Sequence, residues 1–168
     1  MAYKKGLPRP NIESRFLQIV VLGKPLDTVL KIKDEHKKTD KQTKHRSKGE
    51  ICNRMITDYI DMCADCRLKP LFELPYNVHE CIKYNKYVLP GGTTLYVEDK
   101  KVVKSLSMHI YLNGKALALV NQAQEMLRSH KAPSGVERVV NYFLERLQAF
   151  VDQREMDYIT FYKQKYRL

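Results

Sequence analysis

The stretch KVVKSLSMHIYLNGKALALVNQAQEMLRSHKAPSGVERVVNYFLERL, residues 101–147, decides how the rest of the chain has to fold. Leu106, Met108, Ile110 and Leu112 alternate with Ser105, Ser107, His109 and Tyr111, the two-residue period of a strand with one buried face. Asn113 and Gly114 end that pattern. Leu117, Val120 and Leu127, then Val136, Val140, Phe143, Leu144 and Leu147, recur mostly at intervals of three and four, so two amphipathic helices follow, parted at Lys131-Ala132-Pro133. Ser134 and Glu137 read as the N-cap and capping box of the second helix. One strand and two helices cannot cover their own apolar faces, so either the remainder of the chain or a second copy must supply the opposing layer. That choice separates the functional readings.

With 168 residues and 43% hydrophobic composition, the chain is long and apolar enough for one domain with its own core, and is not a disordered polymer. A formal charge of +11 points to a polyanionic partner: nucleic acid, a nucleoprotein or an acidic membrane surface. No run approaches the ~20 apolar residues of a spanning helix, and the opening MAYKKGLPRP lacks the apolar segment of a secretory signal. A cytosolic protein with its four cysteines reduced is therefore expected.

In chain order, residues 1–11 read as a flexible basic arm. Two apolar runs around Gly23-Lys24-Pro25 predict a hairpin, with strands over residues 16–22 and 28–32. Residues 31–50 carry eight Lys or Arg against four Asp or Glu, with Ile32 the one large apolar side chain, so a mobile basic loop is expected there. Its Lys37, Lys38, Lys41, Lys44, Arg46 and Lys48, with Lys4, Lys5 and Arg9 of the arm, are the candidate contacts for phosphates or anionic headgroups. No aromatic side chain interleaves the loop charges, so base stacking is not read there. Ile51, Met55, Ile56, Tyr59, Ile60 and Cys63 share one stripe of a core-facing helix. Pro70 and Pro75 make residues 68–78 an irregular or edge strand. Residues 79–84 read as a short turn. Strands over 86–89 and 93–98 flank Pro90-Gly91-Gly92, and the second should pair with residues 102–112 through Asp99-Lys100. Residues 156–168 form an aromatic and basic tail, either docked or exposed as a contact strip.

Catalytic patterns are missing from the sequence: it has no glycine-rich phosphate loop, no nucleophile elbow and no paired-carboxylate motif, and His36, His45, His79, His109 and His130 are dispersed. A non-enzymatic protein without a cofactor is expected. Cys63-x-x-Cys66 with His79 and Cys81 is the one constellation of metal-ligand types. The tight His79-x-Cys81 spacing and the place of Cys63 on an apolar helix stripe favour reduced cysteines over zinc.

Two resemblances bear on function. Taken alone, the alternating strand and helix pair of residues 101–147 resemble the ribbon-helix-helix proteins. That likeness implies a dimeric DNA-binding regulator with Ser105, Ser107, His109 and Tyr111 facing the bases. Taken whole, the chain resembles the matrix proteins of rhabdoviruses, in a short form like that of the plant-infecting members. The likeness runs over residues 12–150 and lies in element order: basic arm, apolar hairpin, basic loop, the phrase DYIDMCADCRLKPLFELPYN, a turn-rich middle, then LSMHIYLNGKAL and two helices.

The matrix resemblance implies a small structural protein with a twisted antiparallel sheet packed against helices. Such a protein self-associates, binds and condenses the viral nucleocapsid, and bridges it to the envelope during virion assembly. Its implied partners are the nucleocapsid, the anionic inner leaflet, the tail of the viral glycoprotein and further copies of itself. Its implied location is the virion and the host cytoplasm and membrane inner face, with passage into the nucleus left open. The whole-chain reading is preferred because the other leaves about a hundred residues without a role. It predicts a single α+β domain over residues 12–155, with the arm, the basic loop and the tail as appendages.

Overall fold

Strand β5 (Ser105–Asn113) finds its partner at the front of the chain. In the computed structural model, which describes residues 14–39, 47–68, 85–132 and 134–168, β5 pairs antiparallel with β1 (Ser14–Leu22), from Ser14 opposite Asn113 to Leu22 opposite Ser105. This register puts Leu17, Ile19 and Val21 on the same face as Leu106, Met108, Ile110 and Leu112. Helices α2 (Lys48–Asp65), α3 (Gly114–Ser129) and α4 (Val136–Gln153) cover that face. Their Ile51, Met55, Ile56, Val120, Leu127, Phe143 and Leu144 are almost completely buried there. The fold is α+β: helices packed on small antiparallel sheets, with the two ends of the chain in one core.

The expected hairpin is not formed. Gly23, at φ 68°, turns the chain out of β1, and residues 28–32 belong to helix α1 (Gly23–Thr39). Leu26, Val29, Ile32 and His36 are among its buried side chains, at helical intervals that the β-branched character of Val29 and Ile32 obscures. The basic loop shrinks for the same reason. Residues 31–39 continue α1, whose last turn carries His36, Lys37 and Lys38 where the negative end of the helix dipole favours cations. Residues 48–50 open α2, capped by Ser47, whose Oγ accepts from the Glu50 amide at 3.1 Å. The part of that loop between them, residues 40–46, lies outside the described residues, as do the arm and the segment 69–84.

The long hairpin expected over residues 93–112 is also divided. A separate three-stranded sheet holds β2 (Asn85–Val88), β3 (Thr94–Glu98) and the short β4 (Lys101–Val102). The Val103 amide donates to Tyr96 O and ends that ladder, the Lys104 carbonyl accepts from Gly23 N, and the chain then crosses to β1. Ser134 does not cap α4 either: Gly135 stands at the N-cap without a side-chain bond. Glu137 is drawn elsewhere. Its carboxylate accepts from the Val20 amide at 2.9 Å, and Asn141 Oδ1 accepts from the Leu22 amide at 3.1 Å while its Nδ2 donates to Val20 O. An edge strand under a helix needs partners for its outward backbone groups more than the helix needs a cap.

The C-terminal tail is docked. After Asp157, helix α5 (Tyr158–Lys165) buries Tyr158 and Tyr162 against α1 and α2. No described helix is long and apolar enough to cross a membrane.

Candidate polyanion-binding surface

Helix α1 delivers Lys33 and Lys37 to the point where α2 begins with Lys48. The Lys33 ammonium is held below its ordinary value, first by partial burial and then by the charges of Lys37 and Lys48, with Glu50 acting the other way. Lys33 thus sits in a positive field to which Lys37 and Lys48 both contribute. Lys38, on the same last turn, lies 3.5 Å from Glu35, whose other oxygen is 3.3 Å from Lys163 of α5. The hydrogen bond from Lys163 holds the Glu35 carboxyl below the usual carboxylate range. This acid thus spends its charge on two cations already present.

Of the residues that the sequence puts forward, Lys37, Lys38 and Lys48 fall on this surface, on helices and not in a loop. Lys41, Lys44 and Arg46, and the arm's Lys4, Lys5 and Arg9, lie outside the described residues. Lys33 and Lys163 are additions that only the fold supplies. Lys33 has the right charge but follows a run that reads as a strand, and Lys163 becomes a neighbour only through the packing of α5.

Beside the lysines lies the outer face of β1 and β5. There Phe16, opposite Tyr111, is 73% exposed, with ring centroids 5.4 Å apart and planes inclined at 59°. Next along the ladder Gln18 faces His109, and Gln18 Nε2 donates to Ser107 Oγ at 3.2 Å. Gly49 fixes how closely α2 approaches the β5 backbone: a Cβ on it would stand 2.2 Å from His109 O and 2.7 Å from Ile110 Cα. The first turn of α2 is therefore pressed against the backbone of β5. Glu50, Asn53, Arg54, Tyr111 and Asn113 line the hollow that continues the face.

A second polar cluster is internal. Asp58 is wholly buried in α2 and accepts from Tyr158 Oη at 2.6 Å, from Tyr166 Oη at 2.9 Å and from Lys165 Nζ. Tyr162 Oη accepts from Arg54 Nη1 at 3.0 Å and lies 2.8 Å from His36 Nε2, while the Arg54 guanidinium stacks on Tyr166. Burial, then the Asp58 charge, pushes the Tyr158 and Tyr166 hydroxyls up, so both stay protonated as donors. The cluster fastens α5 to α1 and α2.

Only half of the cysteine constellation lies in the described residues. Cys63 is buried in the α2 stripe and Cys66 is exposed at the helix end, while His79 and Cys81 lie outside the described residues. Burial pushes the Cys63 thiol up. Among the described residues no group of three or more His, Cys, Asp or Glu could hold a metal ion. No family model, curated protein or solved structure matches the chain.

Proposed function

We propose that this chain is a non-enzymatic structural protein of the viral matrix kind, which binds a polyanionic assembly by charge, self-associates, and links that assembly to a membrane. The observation that carries the reading is the convergence of Lys33, Lys37 and Lys48, three cations from two helices on a chain of net charge +11. The nucleocapsid is the partner such a surface suits. The membrane side is supported by the small sheet, where Tyr87, Val88, Leu89 and Val102 are exposed apolar residues close in sequence to the exposed Lys86, Lys100 and Lys101. Apolar tips flanked by lysines suit an anionic leaflet, each lysine contributing ~1 kcal/mol or less near the surface. The ribbon-helix-helix alternative lacks comparable support: a twin strand would have to reach β5 past β1 on one side and α2 on the other.

The test is the salt dependence of binding to single-stranded RNA and to vesicles containing phosphatidylserine. Replacing Lys33, Lys37 and Lys48 with Gln should lower the logarithmic salt slope on RNA by about 0.7 for each phosphate no longer neutralised. The thermal midpoint should change little, because the repulsion relieved at Lys33 and the attractions lost to Glu50 and to the end of α1 are of opposite sign. An unaltered slope would take the cluster out of the mechanism.

A further inference from the structure

We infer that the outer face of β1 and β5 is a stacking platform for the bases of a single-stranded nucleic acid, with Phe16 and Tyr111 as the rings and the lysine cluster as the phosphate rim. The inference rests on the charge-based reading above and deepens it, because charge alone does not account for this face. A large aromatic side chain left 73% exposed forfeits most of the hydrophobic gain available to it. Here it stands in cross-strand contact with a second ring, on a sheet whose opposite face is the core. Two rings in cross-strand contact, inclined at 59°, offer a base the apolar face of the exposed Phe16 with Tyr111 as its flank, and Gln18 and His109 beside them supply hydrogen-bonding groups that any base edge can use.

The occupant follows from charge complementarity. The close approach at Gly49 sets the first turn of α2, which Lys48 opens, against the β5 backbone; Arg54 and Glu50 of that helix share a hollow with Tyr111, and Lys33 of α1 lies within reach of the charges of Lys37, Lys48 and Glu50. Glu50 is the carboxylate among these cations. Duplexes keep their bases stacked internally and gain nothing from exposed rings; single strands do. RNA and DNA share this chemistry, and the test includes both.

The experiment measures fluorescence anisotropy of the full chain with labelled oligouridylate and oligothymidylate of about 12 nucleotides, with inorganic polyphosphate as a base-free polyanion and a duplex of equal length as a further control. Phe16→Ala and Tyr111→Ala should each weaken single-strand binding about tenfold. The salt slope and the affinities for polyphosphate and duplex should hold, and Phe16→Tyr should restore binding. Phe16 is exposed, so its removal leaves the core intact; equal thermal midpoints verify this. Unchanged single-strand affinity in Phe16→Ala, or an equal weakening toward polyphosphate, overturns the platform while the charge reading stands. Failure of the wild type to bind any of the polyanions overturns both. If Phe16→Ala instead shifts the sedimentation of the protein alone, with single-strand affinity unmoved, the face belongs to a second copy and the proposal is wrong.

Discussion

Gly49 shows how one side chain of zero size sets the position of a helix. A methyl group there would meet His109 O and Ile110 Cα, both backbone atoms of β5, and neither can turn aside as a side-chain tip would. Alanine gains up to about 1 kcal/mol over glycine in a helix interior, and less in a first turn such as this. Overpacking against a fixed backbone costs about 1–3 kcal/mol. The clash wins, so Gly49→Ala should destabilise the fold by about 1–2 kcal/mol, read as a lower urea midpoint with an unchanged m-value. A gain in stability would mean that the first turn of α2 can lift from β5. Nothing in the sequence marks Gly49 for this task. Glu137 likewise reads as a local capping residue until β1 is known to run beneath it, because the competing acceptor role depends on a strand more than a hundred residues away.

At the scale of elements, the sequence is informative wherever apolar spacing has one interpretation. The strict alternation of residues 105–112, the α2 stripe and the α3–α4 pair all occur as their periods require. Helix α1 reads wrongly as a strand because Val29, Leu30 and Ile32 suit one by type, while their helical phase is completed only by Leu26 and His36. Phe16 escapes notice as a surface residue for a related reason: Leu17, Ile19 and Val21 already imply that 16, 18 and 20 face outward, but an apolar run hides the alternation. Docking of α5 depends on long-range polar pairs that spacing cannot show. Its start offers a pH test. Asp157 Oδ1 accepts from the Ile159 and Thr160 amides at 3.1 and 3.3 Å, and Oδ2 accepts from the Thr160 hydroxyl at 2.8 Å. The Thr160 hydroxyl first, then its amide, holds the carboxyl below the ordinary 3.8. A carboxylate depressed in the folded state contributes stability that is complete above its unfolded value and is lost as the pH falls through the folded one. Near-UV circular dichroism of the α5 tyrosines should therefore weaken as the pH drops below about 4. Asp157→Asn keeps a capping side chain but loses the titration, so its signal should change less over that range. Identical profiles would show that the cap does not control the helix.

For the molecule as a whole, what matters is that the front and back of the chain share one sheet. β5 has an inner face of Met108, Ile110 and Leu112, and the covering of that face is divided between α2 from the first half and α3 and α4 from the second. Removing residues 1–100 would strip away β1, α1 and α2 together. The remaining fragment would expose both edges of β5 and leave the α5 tyrosines without Asp58, Arg54 and His36. A core halved in this way falls short of the conformational entropy it must offset, since domain stability is only about 5–15 kcal/mol in total. A fragment of residues 101–168 should therefore show weak, non-cooperative unfolding by far-UV circular dichroism, whereas the full chain unfolds in one transition. A dimeric regulator predicts the opposite, because its ribbon and helices would find their missing layer in a twin. A cooperatively folded, dimeric fragment would mean that pairing with β1 is dispensable, and the case for a one-piece structural protein would fall with it.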